Sequence, residues 1–252
     1  MIITTNGNSH TVDIQRTWTP LYKRAIKFYS SFSGVVDSSD RGSTSDKYSC
    51  TFTVIDETAI INSLVDDLSK EDTQITLDTE GVKLFGQGID HSGLFTCNVI
   101  NNSKPYPIIN KLQSTMTITV TVVSAITYDS AYATTLPQFI YEWPIERNIE
   151  VIYSNFDTPS TGDYGTVSIN DPDGNILNTE TVKISMKLFN SEFGQLHRFI
   201  ANQRASSFTL STSSFLELFL NSNSENVIIT NFTYKPLQYN LWAVTLSMTN
   251  SI

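Results

Sequence analysis

The chain has 252 residues, 16 basic against 25 acidic side chains, a net charge of -9 and an isoelectric point near 4.7. That balance removes the overall attraction for phosphates that most nucleic-acid binders use, and no stretch approaches the length and apolarity of a membrane span. Charged residues make up only 16% and aromatics 11%, and Ser, Thr and Asn are abundant; this mixture suits β-sandwiches and extracellular or virion surfaces and argues against disorder.

Residues 1–15 read as an arm or edge strand. Residues 18–32 alternate loosely, with Pro20 demoting their start to an edge or a lead-in turn. Arg16, Lys23, Arg24 and Lys27 cluster here as a solvated face. The polar run 33–49 is long for a compact domain unless it acts or is ordered against a neighbour. Cys50, Phe52 and Val54 alternate as a strand, a helix is predicted over 57–70, and strands follow near 74–78, 82–85, 94–100 and 115–123. The last puts Thr on one face and aliphatic residues on the other, which predicts cover on one side only, or cover by another subunit.

Residues 124–142 contain Tyr128, Tyr132, Pro137, Phe139 and Tyr141, too aromatic for a free linker, and are expected to pack across the two flanking parts. Beyond them the turn Asp171-Pro172-Asp173-Gly174, between 166–169 and 176–182, predicts a protruding hairpin, since Pro fixes φ and Gly accepts φ > 0. Val182, Ile184 and Met186 then alternate against Lys183, Ser185 and Lys187. Phe189, Phe193, Leu196, Phe199 and Ile200 follow at helical spacing, with Asn190 or Ser191 placed to cap, and Phe208 and Leu210 resume a strand.

This programme repeats the earlier one. Phe52 to Ile184, Val54 to Met186, Ile61 to Phe193, Leu64 to Leu196 and Leu68 to Ile200 share an offset of 132, and Ile75-Thr76-Leu77 meets Phe208-Thr209-Leu210 at 133. Tyr29-Ser30-Ser31-Phe32 resembles Tyr153-Ser154-Asn155-Phe156 at 124, each about ten residues after a Trp near a Pro, Trp18 and Trp143. Lys104-Pro105 matches Lys235-Pro236 at 131, and Ile118, Val120, Val122 match Val244, Leu246, Met248 at 126. Such ordered anchors imply an internal duplication of a unit of about 110 residues. The expected division is 1–125, a connecting segment 126–142, and 143–252.

Cys50 and Cys97 have aliphatic counterparts in the second unit, Val182 and Ile228, which fits two buried hydrophobes and not a required disulfide. No charged n-region precedes an apolar run, so the chain is expected to be made soluble in the cytoplasm, where the acceptor-like triplets at Asn101 and Asn231 carry no meaning.

Candidate chemistry is sparse. Asp90-His91-Ser92-Gly93 invites a catalytic reading, but neighbours on an extended chain point to opposite faces, so the string is read as a surface turn. His10, His91 and His197 are far apart in sequence without a second ligand at metal spacing, and His197 beside Arg198 reads as a solvated helix face. Asp66, Asp67, Glu71 and Asp72 read as a solvated helix end. The least bland pattern is the crowding of Asp37, Asp40, Asp46, Asp157, Asp163, Asp171 and Asp173 in the two hairpin regions; calcium loops and plain solubility are its other readings.

With these elements in place, the unit resembles the tail-tube fold of tailed bacteriophages and related contractile injection machines: a small β-sandwich flanked by one helix, a long hairpin or loop between early strands, and a strongly alternating final strand. Phe193 to Met248, with Gln203-Arg204-Ala205 before a strand and Trp242 near the end, is similar to minor and distal tail proteins. The fold implied is mainly β with one helix per unit (α+β), as two tandem tail-tube-like β-sandwich or barrel domains. The resemblance further implies a structural virion protein without catalysis or cofactor. Such a chain forms a trimeric pseudo-hexameric ring, or a hexamer, with itself and other tail proteins around a DNA channel. The hairpins around 33–49 and 163–181 would line the lumen, placing Asp37, Asp40, Asp46, Asp163, Asp171 and Asp173 there to repel phosphates. The rival expectation is a double β-sandwich that binds carbohydrate or a receptor through Tyr128, Tyr132, Tyr141 and Trp143.

Overall fold

The computed structural model describes residues 1–30, 36–42, 45–70, 74–108, 112–130, 135–137, 147–155, 178–204, 206–211, 224–238 and 240–250. The fold is mainly β, in antiparallel sheets with two helices.

In the first half, β1 (Ile2–Thr5) and β2 (Asn8–Thr11) form a hairpin whose turn uses Asn6 and Gly7 at positive φ. β3 (Asp13–Lys23) follows, then β4 (Ile26–Ser30), β5 (Val36–Asp40) and β6 (Lys47–Glu57). After helix α1 (Thr58–Leu68) come β7 (Gln74–Asp78), β8 (Leu94–Asn102), β9 (Tyr106–Ile108) and β10 (Gln113–Val122). The second half has β11 (Arg147–Asn155), β12 (Asn178–Phe189), α2 (Asn190–Gln203), β13 (Phe208–Ser211), β14 (Ser224–Gln238) and β15 (Leu241–Asn250).

The first sheet runs β2-β1-β7-β8-β10-β6-β3, with β9 also on β10; the second runs β11-β12-β15-β14-β13; β4 and β5 pair only with each other among the described residues. Read from the opposite edge, the second sheet has the order β13-β14-β15-β12-β11, which matches β7-β8-β10-β6-β3 strand for strand. The registers match as well. Val54 faces Met116, and Met186 faces Val244, so the offset is 186 − 54 = 132 on one strand and 244 − 116 = 128 on its neighbour. Cys97 faces Val122 and Val227 faces Asn250, offsets of 130 and 128. Each half also carries a bulge at the same rung: Val99 and Asn101 face Val120 and Thr119, skipping Ile100, while Ile229 and Asn231 face Met248 and Ser247, skipping Thr230. A bulge adds an unpaired residue and bends its strand, so its position is a designed feature of a sheet.

These registers revise three expected matches. The closing strands correspond at 128, not 126, and Cys97 corresponds to Val227, not Ile228. The first strands, with Trp18 opposite Phe52 and Ile149 opposite Ile184, correspond at 149 − 18 = 131, which pairs Tyr153 with Tyr22; Tyr29 lies on the separate β4–β5 ribbon. Trp143 and the turn at 171–174 lie outside the described residues.

The 1–15 arm is more structured than expected: β1 pairs with the edge of β7 and extends the first sheet. The expected strand at 82–85 is a run of tight turns, because Gly81, Gly86 and Gly88 sit at positive φ and the chain closes on itself through Val82 N to Thr79 O and Gly86 N to Lys83 O. Its Leu84 and Phe85 are fully buried all the same.

Alternation is realised as predicted on β6 and β10. Cys50, Phe52 and Val54 and their partners Met116, Ile118 and Val120 are buried, while the Thr face is half-exposed and laced by Ser49–Thr121, Thr51–Thr119 and Thr53–Thr117 hydroxyl contacts of 2.8, 2.9 and 3.1 Å. Cys50 and Cys97 are free and buried, and burial raises both thiol pKa values, Cys97 to about 12. Helix α2 starts with Glu192 accepting the Phe189 backbone N–H at 2.9 Å. α1 buries one narrow stripe, Ile61, Leu64 and Asp67; α2 buries a broad one that adds Gly194, His197 and Ala201. The reason is that α2 is covered twice, by its own sheet and by the first half. Buried side chains of both sheets accordingly form one connected core.

Candidate functional site

The β4–β5 ribbon carries part of the acidic crowding that the sequence shows. β4 and β5 pair from Ile26 opposite Asp40 to Ser30 opposite Val36. A two-stranded ribbon is marginal alone, so what anchors its root decides its direction.

The anchor comes from the second half. Arg204, just past the end of α2, donates from Nε to Asp40 Oδ2 at 2.7 Å and from Nη2 to Asp40 Oδ1 at 2.5 Å, and its Nη1 reaches Asp46 Oδ2 at 2.8 Å. Asp46 also accepts from the Tyr22 hydroxyl at 2.9 Å and the Ala25 backbone N–H at 2.8 Å. Arg24 completes the knot, donating from Nη1 to Ile229 O at 2.9 Å and from Nη2 to the carbonyl of Arg204 itself. Planar guanidinium forks suit this bidentate geometry in a way that a lysine cannot.

The electrostatics follow. Hydrogen bonds from Arg204 hold the Asp40 carboxyl below its usual range, and those same bonds raise the Arg204 pKa. Burial lowers that of Arg24 and raises that of Tyr22. Two carboxylates face two guanidinium groups, so the root of the ribbon is locally neutral. Asp40 and Asp46, expected on a lumen-facing hairpin, are thus taken up in a clamp between the halves that balances their charge. Arg24, expected on a solvated face, is part of the same clamp. Asp37 lies on β5 opposite Tyr29; Asp157, Asp163, Asp171 and Asp173 lie outside the described residues. Arg204 stands at φ 39°, outside the comfortable range for a side-chain-bearing residue.

Beside the clamp lies an aromatic cage that joins the halves. His197, expected on a solvated face, is fully buried in it. Its ring stacks on Phe193 at 5.6 Å and 5°, and lies 5.5 Å from Tyr22, 6.0 Å from Tyr48 and Tyr128, 5.6 Å from Phe232 and 5.2 Å from Tyr234. Trp18 and Trp242 meet edge to face at 6.4 Å along the same seam. The 124–142 segment does pack across both parts where it is described: Tyr128 shares a 2.5 Å hydrogen bond with Tyr48, and Asp129 accepts from Arg198 at 2.8 Å. Tyr128 is therefore committed to the seam; Tyr132, Tyr141 and Trp143 lie outside the described residues.

Other candidates resolve locally. Asp90 caps a turn by accepting from the Ser92 backbone and hydroxyl at 2.9 and 2.6 Å, as read from the sequence, but His91 is buried, with Nδ1 donating to Ile89 O at 2.8 Å. Asp67, expected to be solvated, is buried under the β1–β2 hairpin, where it meets Lys70 at 2.5 Å, His10 at 2.9 Å and Asn8 at 3.0 Å; these bonds, Lys70's first, hold its carboxyl down to about 2. No cluster of metal-ligating side chains occurs among the described residues, and no described helix is long and apolar enough to cross a membrane. The arrangement can clamp, orient and pack.

Comparison of the chain with protein-family models gives no match, and comparison with curated proteins gives none.

Proposed function

We propose that the chain is a structural virion protein of a phage tail, two tandem tail-tube-like units in one chain, which closes with further copies into a ring around a DNA channel at the tube or its distal end. The observation that carries this reading is the match of five strands of the first sheet to the five of the second in order, with one bulge at the same rung and a helix after β6 and after β12. A ribbon between β3 and β6, whose strands pair only with each other among the described residues, is the element such a ring would turn toward its lumen. Two similar units in tandem suit a trimer that imitates six-fold symmetry; a hexamer with the second unit outside is the other closed form.

The clamp changes one part of the electrostatic expectation. Repulsion of DNA falls to Asp37, Asp163, Asp171 and Asp173 and to the net charge of -9, not to Asp40 and Asp46, whose charge Arg204 and Arg24 balance. DNA would pass without specific binding, the other partners being neighbouring tail proteins in the virion.

Native mass by light scattering, with negative-stain imaging, tests this. A closed ring of three or six chains with a pore wide enough for duplex DNA is the expected result, and a monomer that binds glycans on an array overturns it.

A further inference from the structure

We propose that the seam between the two halves is a proton-sensitive latch, in which protonation of His197 releases the 83–91 loop and the aromatic face of the first half from α2. This rests on the geometry of the seam and does not depend on the ring reading.

His197 Nδ1 donates to the Gln87 carbonyl at 2.7 Å across 110 residues of chain, so the neutral ring carries its proton there. Nε2 is buried with no hydrogen-bond partner among the described residues. A second proton would enter a site with no acceptor for it. The titratable groups around the ring offer no charge of the right sign: Tyr22 from β3, Tyr48 from β6, Tyr128 from the connecting segment and Tyr234 from β14 are neutral phenols, Arg198 on α2 would repel an imidazolium, and His91 in the facing loop is neutral or, once protonated, repels it too. Asp46 is reached only through the Tyr22 hydroxyl, and Asp129 is engaged by Arg198. Burial, the largest cause, takes His197 down to about 4.

The loop that would let go is held at close range. Gly86 and Gly88 stand at positive φ; a Cβ on Gly88 would lie 2.9 Å from the Gly194 carbonyl, and one on Gly86 would lie 3.1 Å from the His197 ring. Tyr234 donates to Phe85 O at 2.7 Å from the second half. The histidine is also particular to this seam: by the 132-residue offset its counterpart on α1 is Val65, so packing a helix on its own sheet does not call for a histidine. A buried, half-satisfied imidazole between two packed halves is the arrangement that converts a proton into a separation.

Hydrogen exchange followed by mass spectrometry from pH 7 to pH 4, corrected for intrinsic rates, tests the latch in the full chain. Amides of 83–91 are expected to lose protection by up to about tenfold per pH unit between about 6.5 and 4, while those of the β6–β10 ladder keep theirs. His197→Phe preserves ring stacking and should abolish a large part of that loss, while His91→Gln measures the part that comes from His91, whose Nε2 accepts the Phe85 backbone N–H within the same loop. Equal loss in His197→Phe, or loss that coincides with opening of β6–β10, overturns the proposal. Should His197→Phe fail to fold, histidine NMR of the unaltered chain decides: a His197 ring that protonates while both sheets stay paired supports the latch, and one that stays neutral until global unfolding refutes it.

Discussion

Arg204 and Asp40, 164 residues apart, are joined by two parallel hydrogen bonds of 2.7 and 2.5 Å, and this pair ties the root of the β4–β5 ribbon to the end of α2. Asp46 beneath them is nearly inaccessible. Arg204→Ala should therefore cost about 2–4 kcal/mol in urea unfolding, because it strands a buried carboxylate that keeps only its bonds from Tyr22 and Ala25. Arg204→Gly should cost about 1 kcal/mol less than Arg204→Ala, since glycine relieves the backbone strain at φ 39°. An alanine variant as stable as the parent would show the clamp to be ornamental.

Three glycines allow the close approach of the halves to be separated from backbone strain. Gly88→Ala meets both a positive φ and the Gly194 carbonyl, and should cost about 2–4 kcal/mol; Gly81→Ala meets a positive φ in open space and should cost about 1 kcal/mol; Gly93→Ala meets neither and should stay within about 0.5 kcal/mol. Thermal unfolding of the three variants, scanned side by side, checks the order.

Much of the fold could be read from periodicity, and its failures have physical causes. β6, β7, β10 and both helices are where alternation and helical spacing put them, because each buries one face against a core. The closing strands could not be aligned correctly from pattern, since a slip of two residues leaves every side chain on its own face; the bulges skipping Ile100 and Thr230 fix what alternation leaves free. His197 was misplaced for a different reason. Its helix has a second covered side supplied by Gln87, Tyr22 and Tyr48, and nothing within one turn of His197 signals a contact made 110 residues away. The clamp was invisible likewise: Asp40 and Asp46 look like loop acid until Arg204 is brought beside them, and Gln203-Arg204-Ala205 offers no local signal of it.

The two seam tryptophans should respond unequally to substitution. Trp242 is fully buried and donates from Nε1 to Asn190 Oδ1 at 2.8 Å, so Trp242→Phe loses volume and leaves the Asn190 side chain without that donor, at about 2–4 kcal/mol. Trp18 Nε1 has no partner among the described residues, so Trp18→Phe removes an unsatisfied donor together with the volume and should cost less than half as much. Chemical denaturation followed by circular dichroism measures both without relying on indole fluorescence.

Global stability should also fall with acid, because two buried imidazoles bind protons less readily in the folded chain than in the unfolded one. Burial lowers both His91 and His197 to about 4, below the 6.5 of an unfolded histidine. Between those values the unfolded chain binds two protons that the folded chain does not, so unfolding becomes easier as pH drops, by up to about 2.7 kcal/mol per pH unit for the pair. Above about 6.5 neither state binds them and the contribution is constant; below about 4 both states bind them and the slope ends. Asp40 and Asp67, whose carboxyls are held low, lose their contribution only further down, as pH falls through and below the usual carboxylate range. Urea midpoints should therefore decline in two stages, first over the histidine window and then over the carboxylate window. His91→Gln and His197→Phe should each flatten the first stage by about half, while Asp40→Asn should leave the first stage intact and flatten only the second.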